Sequence, residues 1–240
     1  MVSRIKTYVG GYDENLGGGI PEGHAVLLAG APGTMKSSLA YSILYNNTKR
    51  EGRRTLFITL EQSKDSLEDQ MESLQMERKE VKDALAILDL ATMRIKIGNL
   101  RGETMMNMLK MYVENIRRSF DYDLLVLDSL DALQVLADFE DFKMEYFKLF
   151  KWLRGLDVTS ILISELPYPS PDVGFHFDDL KGDKKSFLAD GIIHLTMDQT
   201  SLIETQRRIR CVKMRGTEHE TGYFMFEFDS GNFSATRAVS

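Results

Sequence analysis

The chain predicts an α/β fold in which a mostly parallel central sheet is flanked by helices and ends in antiparallel strands. Three observations carry this. Short continuous apolar runs alternate with helically periodic segments as far as residue 166, the pattern of strands buried on both faces and joined by crossover helices. Past residue 190 the texture changes to strand-like segments joined by short turns, which is how antiparallel hairpins read. The first apolar run passes through a glycine-rich turn straight into a helical pattern.

Taken in order, "HAVLLAG" (24–30) reads as a buried strand, and Leu39, Ala40, Ile43 and Leu44 fall at helical spacing after Lys36. "TLFITL" (55–60) is the second strand, followed by a polar helix opened by Ser63, a residue type that caps helix starts. "LAILDLA" (85–91) is the third strand. A helix is expected over about 103–119, where Met105, Leu109, Tyr112 and Ile116 share one face and read as core. "DLLVLDS" (123–129) is the fourth strand and "TSILISEL" (159–166) the fifth. Between them a helix over 139–156 carries the stripe Phe142, Tyr146, Phe150 and Leu153. The stretch 166–187 contains Pro167, Pro169 and Pro171 and no periodicity; loops of that length are usually functional or mobile. "GIIHLTM", "RRIRCVKM" and "GYFMFEF" then read as strands. Without a repeat or a compositional break, residues 1–240 are expected to form one domain.

Composition narrows the function classes. The apolar share of 43% and charged share of 28% are ordinary for a globular protein. The longest apolar runs are too short to span a bilayer, and "MVSRIKTYVGG" lacks a signal-peptide core. No membrane partner and a cytoplasmic location are therefore expected. Cys211 is the single cysteine, which excludes an intramolecular disulfide, and its alternating surroundings predict burial. A net charge of −6 gives no global attraction to nucleic acid, so DNA binding would need a local basic patch.

In an open parallel sheet, ligands bind beyond the carboxyl ends of the strands. Here those ends carry the glycine-rich loop, then Glu61-Gln62, Asp128-Ser129 and Glu165. In "AGAPGTMKSS" (29–38), Gly30, Gly33, Lys36 and Ser37 fit a phosphate loop of the form G-x-x-x-x-G-K-[ST], but Met35 stands where the glycine before the lysine belongs. Such a loop surrounds phosphate oxygens with backbone N–H groups and a helix N-terminus. Gly30, Ala31, Pro32, Gly33, Thr34, Met35, Lys36, Ser37 and Ser38 are thus expected to hold ATP. Lys36 would pair with the β- and γ-phosphates, and Ser37 with Asp128 would hold Mg²⁺. If Met35 needs a positive φ, the cost is about 1–2 kcal/mol. That is small beside several charge-assisted bonds of about 1.5–3 kcal/mol each, so ATP binding with altered turnover is expected. Glu61 is the candidate general base. Asp128 taken alone reads equally as a helix cap, and Glu165 as a γ-phosphate sensor or a loop cap.

The stretch "GGYDENLGGGIPEGHAVLLAGAPGTMKSSLA" resembles the opening of KaiC-like, RadA-related ATPases of the RecA superfamily, and "KMRGTEH" (213–219) resembles the late motif of that group. "TLEQS" and "LLVLDS" fall between them in the family's order, so the resemblance spans nearly the whole chain. It implies a P-loop NTPase with a RecA-like core, binding ATP at the subunit interfaces of a homo-oligomeric ring or filament. It implies that Glu61 is the catalytic glutamate, with Gln62 replacing a second acid that many members have. Lys213 and Arg215 match cations that reach the γ-phosphate on a neighbouring subunit, and His219 matches a histidine near the nucleotide. The spacing agrees, because positions i and i+2 of a strand share a face. The chain shows neither a RadA-type helical DNA-binding domain, a second ATPase copy nor a phosphorylated tail, so clock function and phosphotransfer to a side chain are not expected.

Three readings follow. The first is an ATPase whose oligomer acts as an ATP-driven regulatory or assembly switch on a protein partner. The second is a recombinase paralogue that binds single-stranded DNA through 166–187, where Lys181, Lys184 and Lys185 stand with Tyr168, Phe175 and Phe177. Asp172, Asp178, Asp179 and Asp183 offset those cations and disfavour DNA. The third is a scaffold that binds ATP with little hydrolysis, motivated by Met35 and Gln62.

Overall fold

In the computed structural model, which describes residues 3–97, 104–137, 139, 141–166, 184–199 and 204–237, a short ribbon precedes the main sheet. The ribbon pairs β1 (Arg4–Ile5) with β2 (Ile20–Pro21). The main sheet is built from β3 (Ala25–Gly30), β4 (Thr55–Thr59), β5 (Leu85–Asp89), β6 (Leu124–Asp128), β7 (Thr159–Glu165), β8 (Gly191–Gln199), β9 (Thr205–Met214), β10 (Phe224–Asp229) and β11 (Asn232–Arg237). Its spatial order is β11-β10-β9-β8-β3-β7-β6-β4-β5. From β8 to β5 the neighbours are parallel, and from β8 to β11 they are antiparallel. This is the mostly parallel sheet with an antiparallel C-terminal edge that the apolar runs predict.

The parallel strands are predominantly apolar because both faces are covered. In β3, Val26 and Leu28 join the core beneath α1 (Lys36–Glu51) and α2 (Lys64–Ser73), while Ala25, Leu27 and Ala29 join the core on the other face. That second core is closed by α4 (Met105–Phe120) and α6 (Phe142–Gly155), which follow α3 (Leu90–Ile97) and flank α5 (Leu130–Ala137). Met105 and Leu109 are buried in it, and Tyr112 and Ile116 pack against it, so the methionine-rich face is core. Cys211 is fully buried, and burial pushes its thiol up to about 12. A short helix, α7 (Lys184–Leu188), leads into β8. Among the described residues no helix is long and apolar enough to cross a membrane.

Local chemistry sets the boundaries. Ser63 accepts a hydrogen bond from Ser66 N and opens α2 as expected, and Asp141 caps α6 through Lys143 N and Met144 N. Three expectations need correction. The third strand stops at Asp89, whose carboxylate accepts from Thr92 N and so starts α3 at once. The helix expected over 139–156 begins at Phe142, and a separate α5 precedes it. Phe142 itself is 41% exposed, so the stripe is buried only from Tyr146 onward. Of the stretch 166–187, residues 167–183 lie outside the described residues, and with them Tyr168, Asp172, Phe175, Phe177, Asp178, Asp179, Lys181 and Asp183.

Candidate active site

Strand order decides which strand tips meet. β3, β7, β6 and β4 are consecutive neighbours, so the groups following them share one edge of the sheet. Backbone bonds fasten the tips together: Leu166 N donates to Gly30 O at 3.0 Å, and Leu60 N donates to Asp128 O at 2.8 Å. The result is a cleft of about 570 Å³ lined by Pro32, Gly33, Met35, Lys36, Ser37, Ser38, Glu61, Asp128, Ser129 and Glu165, with α2 and Arg207 at its rim.

The loop has steric reasons for its glycines. A Cβ at Gly30 would come within 2.4 Å of Leu195 O, and Gly33 sits at φ 78°. Thr34 is buried, and its hydroxyl donates to Ala31 O at 2.8 Å, closing the loop on itself. Met35 adopts φ 70°, so the left-handed conformation that glycine would accept freely is taken by a methionine. Its side chain is partly buried against the core below α1 and makes no capping bond. The first N–H groups of α1 therefore have no capping side chain from Met35.

Charge is concentrated in this cleft. Lys36 is buried and donates to Ala31 O at 3.0 Å. Burial lowers its pKa, and the carboxylates of Glu165, Asp128 and Glu61 oppose that. Burial also pushes the Asp128 carboxyl up to about 6; a hydrogen bond from Ser37 counters this, and Glu61 adds to it. Ser129 donates to Glu61 Oε1 and accepts from Ala132 N, so it both orients Glu61 and caps α5. The capping role open to Asp128 is thus filled by its neighbour. Gln62 turns elsewhere, its side-chain oxygen accepting from Ser66 Oγ at 3.4 Å. Glu165 lines the cleft, while its N–H donates to Asp131 Oδ2 at 2.7 Å.

The cations of the late motif are elsewhere. Gly30 is level with Leu195 and Ile209, whereas Val26 is level with Gly191 and Met214. Lys213, level with Ile192 and Leu27, and Arg215, just past Met214, therefore sit away from the loop toward the other end of β3, by three strand levels or more, roughly 10 Å and upward at about 3.3 Å per residue. Lys213 Nζ donates to Ala189 O at 2.7 Å and Ser186 O at 3.1 Å, and Arg215 Nη1 to Asp190 Oδ1 at 2.6 Å. His219 Nδ1 lies 2.9 Å from Thr217 O. Among the described residues, Arg207 is a cation from β9 that does reach the loop, its Nε donating to Gly33 O at 3.3 Å. Nothing in "TQRRIRCVKM" singles it out, because only the β8–β9 register brings it level with the loop. Lys185, one of the lysines available to the DNA reading, is buried and donates to Asp131 Oδ1 and Ser164 Oγ, each at 2.8 Å. It is engaged inside the protein rather than presented to a phosphate backbone.

Comparison with known proteins gives the family. The family model for the KaiC ATPase matches residues 5–234. A UPF0273 protein of Aeropyrum pernix is 30% identical over 239 residues, covering 95% of this chain and 91% of that protein. The circadian clock oscillator protein KaiC of Picosynechococcus is 28% identical over 235 residues, covering 94% of this chain but 43% of that protein. The crystal structure of a KaiC-like protein from Pyrococcus horikoshii superposes with a TM-score of 0.79 at 27% identity, covering 98% of this chain and 99% of that one. With the fold and nearly the whole length in agreement, the chain belongs to the KaiC family of ATP-binding ATPases, within the RecA superfamily.

Proposed function

We propose that the chain is a magnesium-dependent ATPase that works as a homo-oligomer. ATP sits in the cleft, the cation-bearing end of β9 serves the cleft of a neighbouring subunit, and turnover drives a regulatory or assembly switch on a protein partner. The observation that carries the reading is a separation. Lys36, Ser37, Glu61 and Asp128 converge on one cleft, while Lys213 and Arg215 are held at the opposite end of the same strands.

The residues fit the groups they would hold. A carboxylate hydrogen-bonded to a hydroxyl, Asp128 with Ser37, is the hard oxygen pair that a small divalent cation takes alongside phosphate oxygens. Bound magnesium supplies neutralisation of phosphate charge. This chain's own residues do the rest. Lys36 exchanges Ala31 O for phosphate oxygens, and the loop N–H groups and α1 hold the remainder. Glu61, oriented by Ser129, takes the proton of the attacking water. Lys213 and Arg215 from the neighbour stabilise the charge that develops on phosphoryl transfer.

The test compares phosphate release by wild type and Glu61→Gln, with calorimetry of ATP binding and mass in solution with and without ATP and Mg²⁺. A loss of about 10²-fold in rate is expected for Glu61→Gln, with ATP binding retained and a larger mass in the presence of nucleotide. Equal rates would remove Glu61 as the base. Absence of magnesium-dependent ATP binding would defeat the whole reading.

A further inference from the structure

Between the end of β9 and the start of β10 the chain has no regular element, so sheet pairing does not hold the turn that carries Arg215 and His219. Arg215 N still donates to Asp190 O at 2.9 Å, and beyond that bond side chains from the first two dozen residues tether the turn. Arg4 Nη1 donates to Leu16 O at 2.9 Å, Gly19 O at 2.8 Å and Thr217 Oγ1 at 3.0 Å, tying the N-terminal loop to the turn. Asn15 grips the backbone of Glu220 from both sides. Its Nδ2 donates to Glu220 O at 3.3 Å, and its Oδ1 accepts from Glu220 N at 2.8 Å. His24 Nε2 lies 3.1 Å from Arg215 O.

The platform beneath these contacts is rigid. Asp13 accepts from Thr7 N at 2.8 Å, Thr7 Oγ1 at 2.7 Å and Tyr8 N at 3.2 Å. Tyr12, Leu16 and Ile20 are fully buried in the main core. Gly19, at φ 126°, lies so close to the ribbon that a Cβ would meet Ile5 O at 2.3 Å. The N-terminal segment is thus fixed to the core on one side and to the late motif on the other.

We infer that Arg4 and Asn15 are positioning residues for ATP hydrolysis, acting through the Lys213–His219 turn on the cleft of the neighbouring subunit. This rests on the reading that the turn serves a neighbour. Donors aimed in advance at developing charge need no reorganisation when the charge appears. A turn released from its clamp has to be ordered at each encounter. The loss falls on kcat rather than KM, because the ATP-holding cleft is untouched.

The experiment uses the full chain and the variants Arg4→Ala, Arg4→Lys and Asn15→Asp. Asn15→Asp keeps the shape and the bond from Glu220 N but turns the donor facing Glu220 O into an acceptor, so it unseats the turn without opening a cavity. Arg4→Ala and Asn15→Asp are expected to lower kcat about tenfold, as small misplacements of catalytic groups do, with KM little changed. Arg4→Lys restores most of the rate, since an ammonium also donates to carbonyls. Arg4→Ala is then mixed with Glu61→Gln before ATP and Mg²⁺ are added, beside a control pair of Arg215→Ala with Glu61→Gln. Mixed oligomers pair an intact Glu61 with an intact turn, so activity above the sum of the separate chains in both pairs supports the inference. Recovery in the control pair alone, or wild-type kcat in both Arg4→Ala and Asn15→Asp, overturns the clamp and leaves the ATPase reading standing. No recovery in the control pair overturns action across subunits, and the clamp with it.

Discussion

The parallel half of the sheet places its functional groups by strand register, whereas in the antiparallel half Lys213, paired within β9, and Arg215, just past it, are also anchored by side-chain contacts that reach across the chain. Asp128 and Glu165 each end, and Glu61 follows by two residues, a buried strand whose neighbours fix its level. Lys213 and Arg215 stand at or just past the last turn of an edge-side strand, held by carbonyls of the α7 region, by Asp190 and, through the turn, by Arg4 and Asn15. A group set by register moves only if the core moves. A group set by exchangeable hydrogen bonds can be adjusted without unfolding anything, which would suit the cations proposed to meet a second subunit.

The largest expected effect bears directly on this division. Arg215→Ala should cost about 10³-fold in kcat, the lower end of what an arginine finger supplies, while ATP affinity stays close to wild type because the holding cleft is in the other half. Steady-state phosphate release and calorimetry check the two arms. If affinity falls in step with kcat, the two halves make one site within a chain and the division is wrong.

The same division governs what was legible in the sequence. The parallel strands announce themselves because burial on both faces demands continuous apolar runs, and the polar residues Glu61, Asp128 and Glu165 that end or follow three of these runs line the cleft. Strand order was the missing step, because an apolar run does not say which other run lies beside it, and the structure supplies it. Arg207 escaped notice because an alternating strand with several arginines does not reveal its level against β8. The Arg4–Thr217 and Asn15–Glu220 contacts join residues some two hundred positions apart, and no periodicity encodes such a pairing. α5 was missed because it is only eight residues long and follows a strand end without a break.

A second prediction concerns where the halves join. His194, in β8, is buried beside Tyr223, with its Nδ1 3.2 Å from the Tyr223 hydroxyl. Burial lowers its pKa to about 3, and Arg210 adds to the effect. Its folded value lies below the unfolded one, so the unfolded chain takes up the proton first. Stability is retained above about pH 6.5 and is lost as pH falls toward 3. By linkage the protein should be about 2 kcal/mol less stable at pH 5 than at pH 7 from this residue, and His194→Gln should remove most of that slope. Urea midpoints across this range measure it. Faster amide exchange in β8–β10 than in β4–β7 at pH 5 would place the weakness in the antiparallel half, and uniform exchange would deny the halves separate stabilities.

The smallest effect is expected where the sequence looks most irregular. Met35→Gly relieves a left-handed residue of about 1–2 kcal/mol of strain. It also frees the unfolded chain, which costs about 0.5–1 kcal/mol, and it removes a partly buried side chain worth about 1 kcal/mol at ordinary burial coefficients. These contributions nearly cancel, so thermal stability should change by less than about 1 kcal/mol. ATP affinity should hardly move, because the loop's path is set elsewhere: by the closeness of Gly30 to Leu195 O, by the Thr34–Ala31 bond, and by the seating of β3 between β7 and β8. Thermal melts and ATP titration of the variant decide it. A tenfold change in kcat or affinity would mean that Met35 shapes the loop, and that register alone does not place the groups of the parallel half.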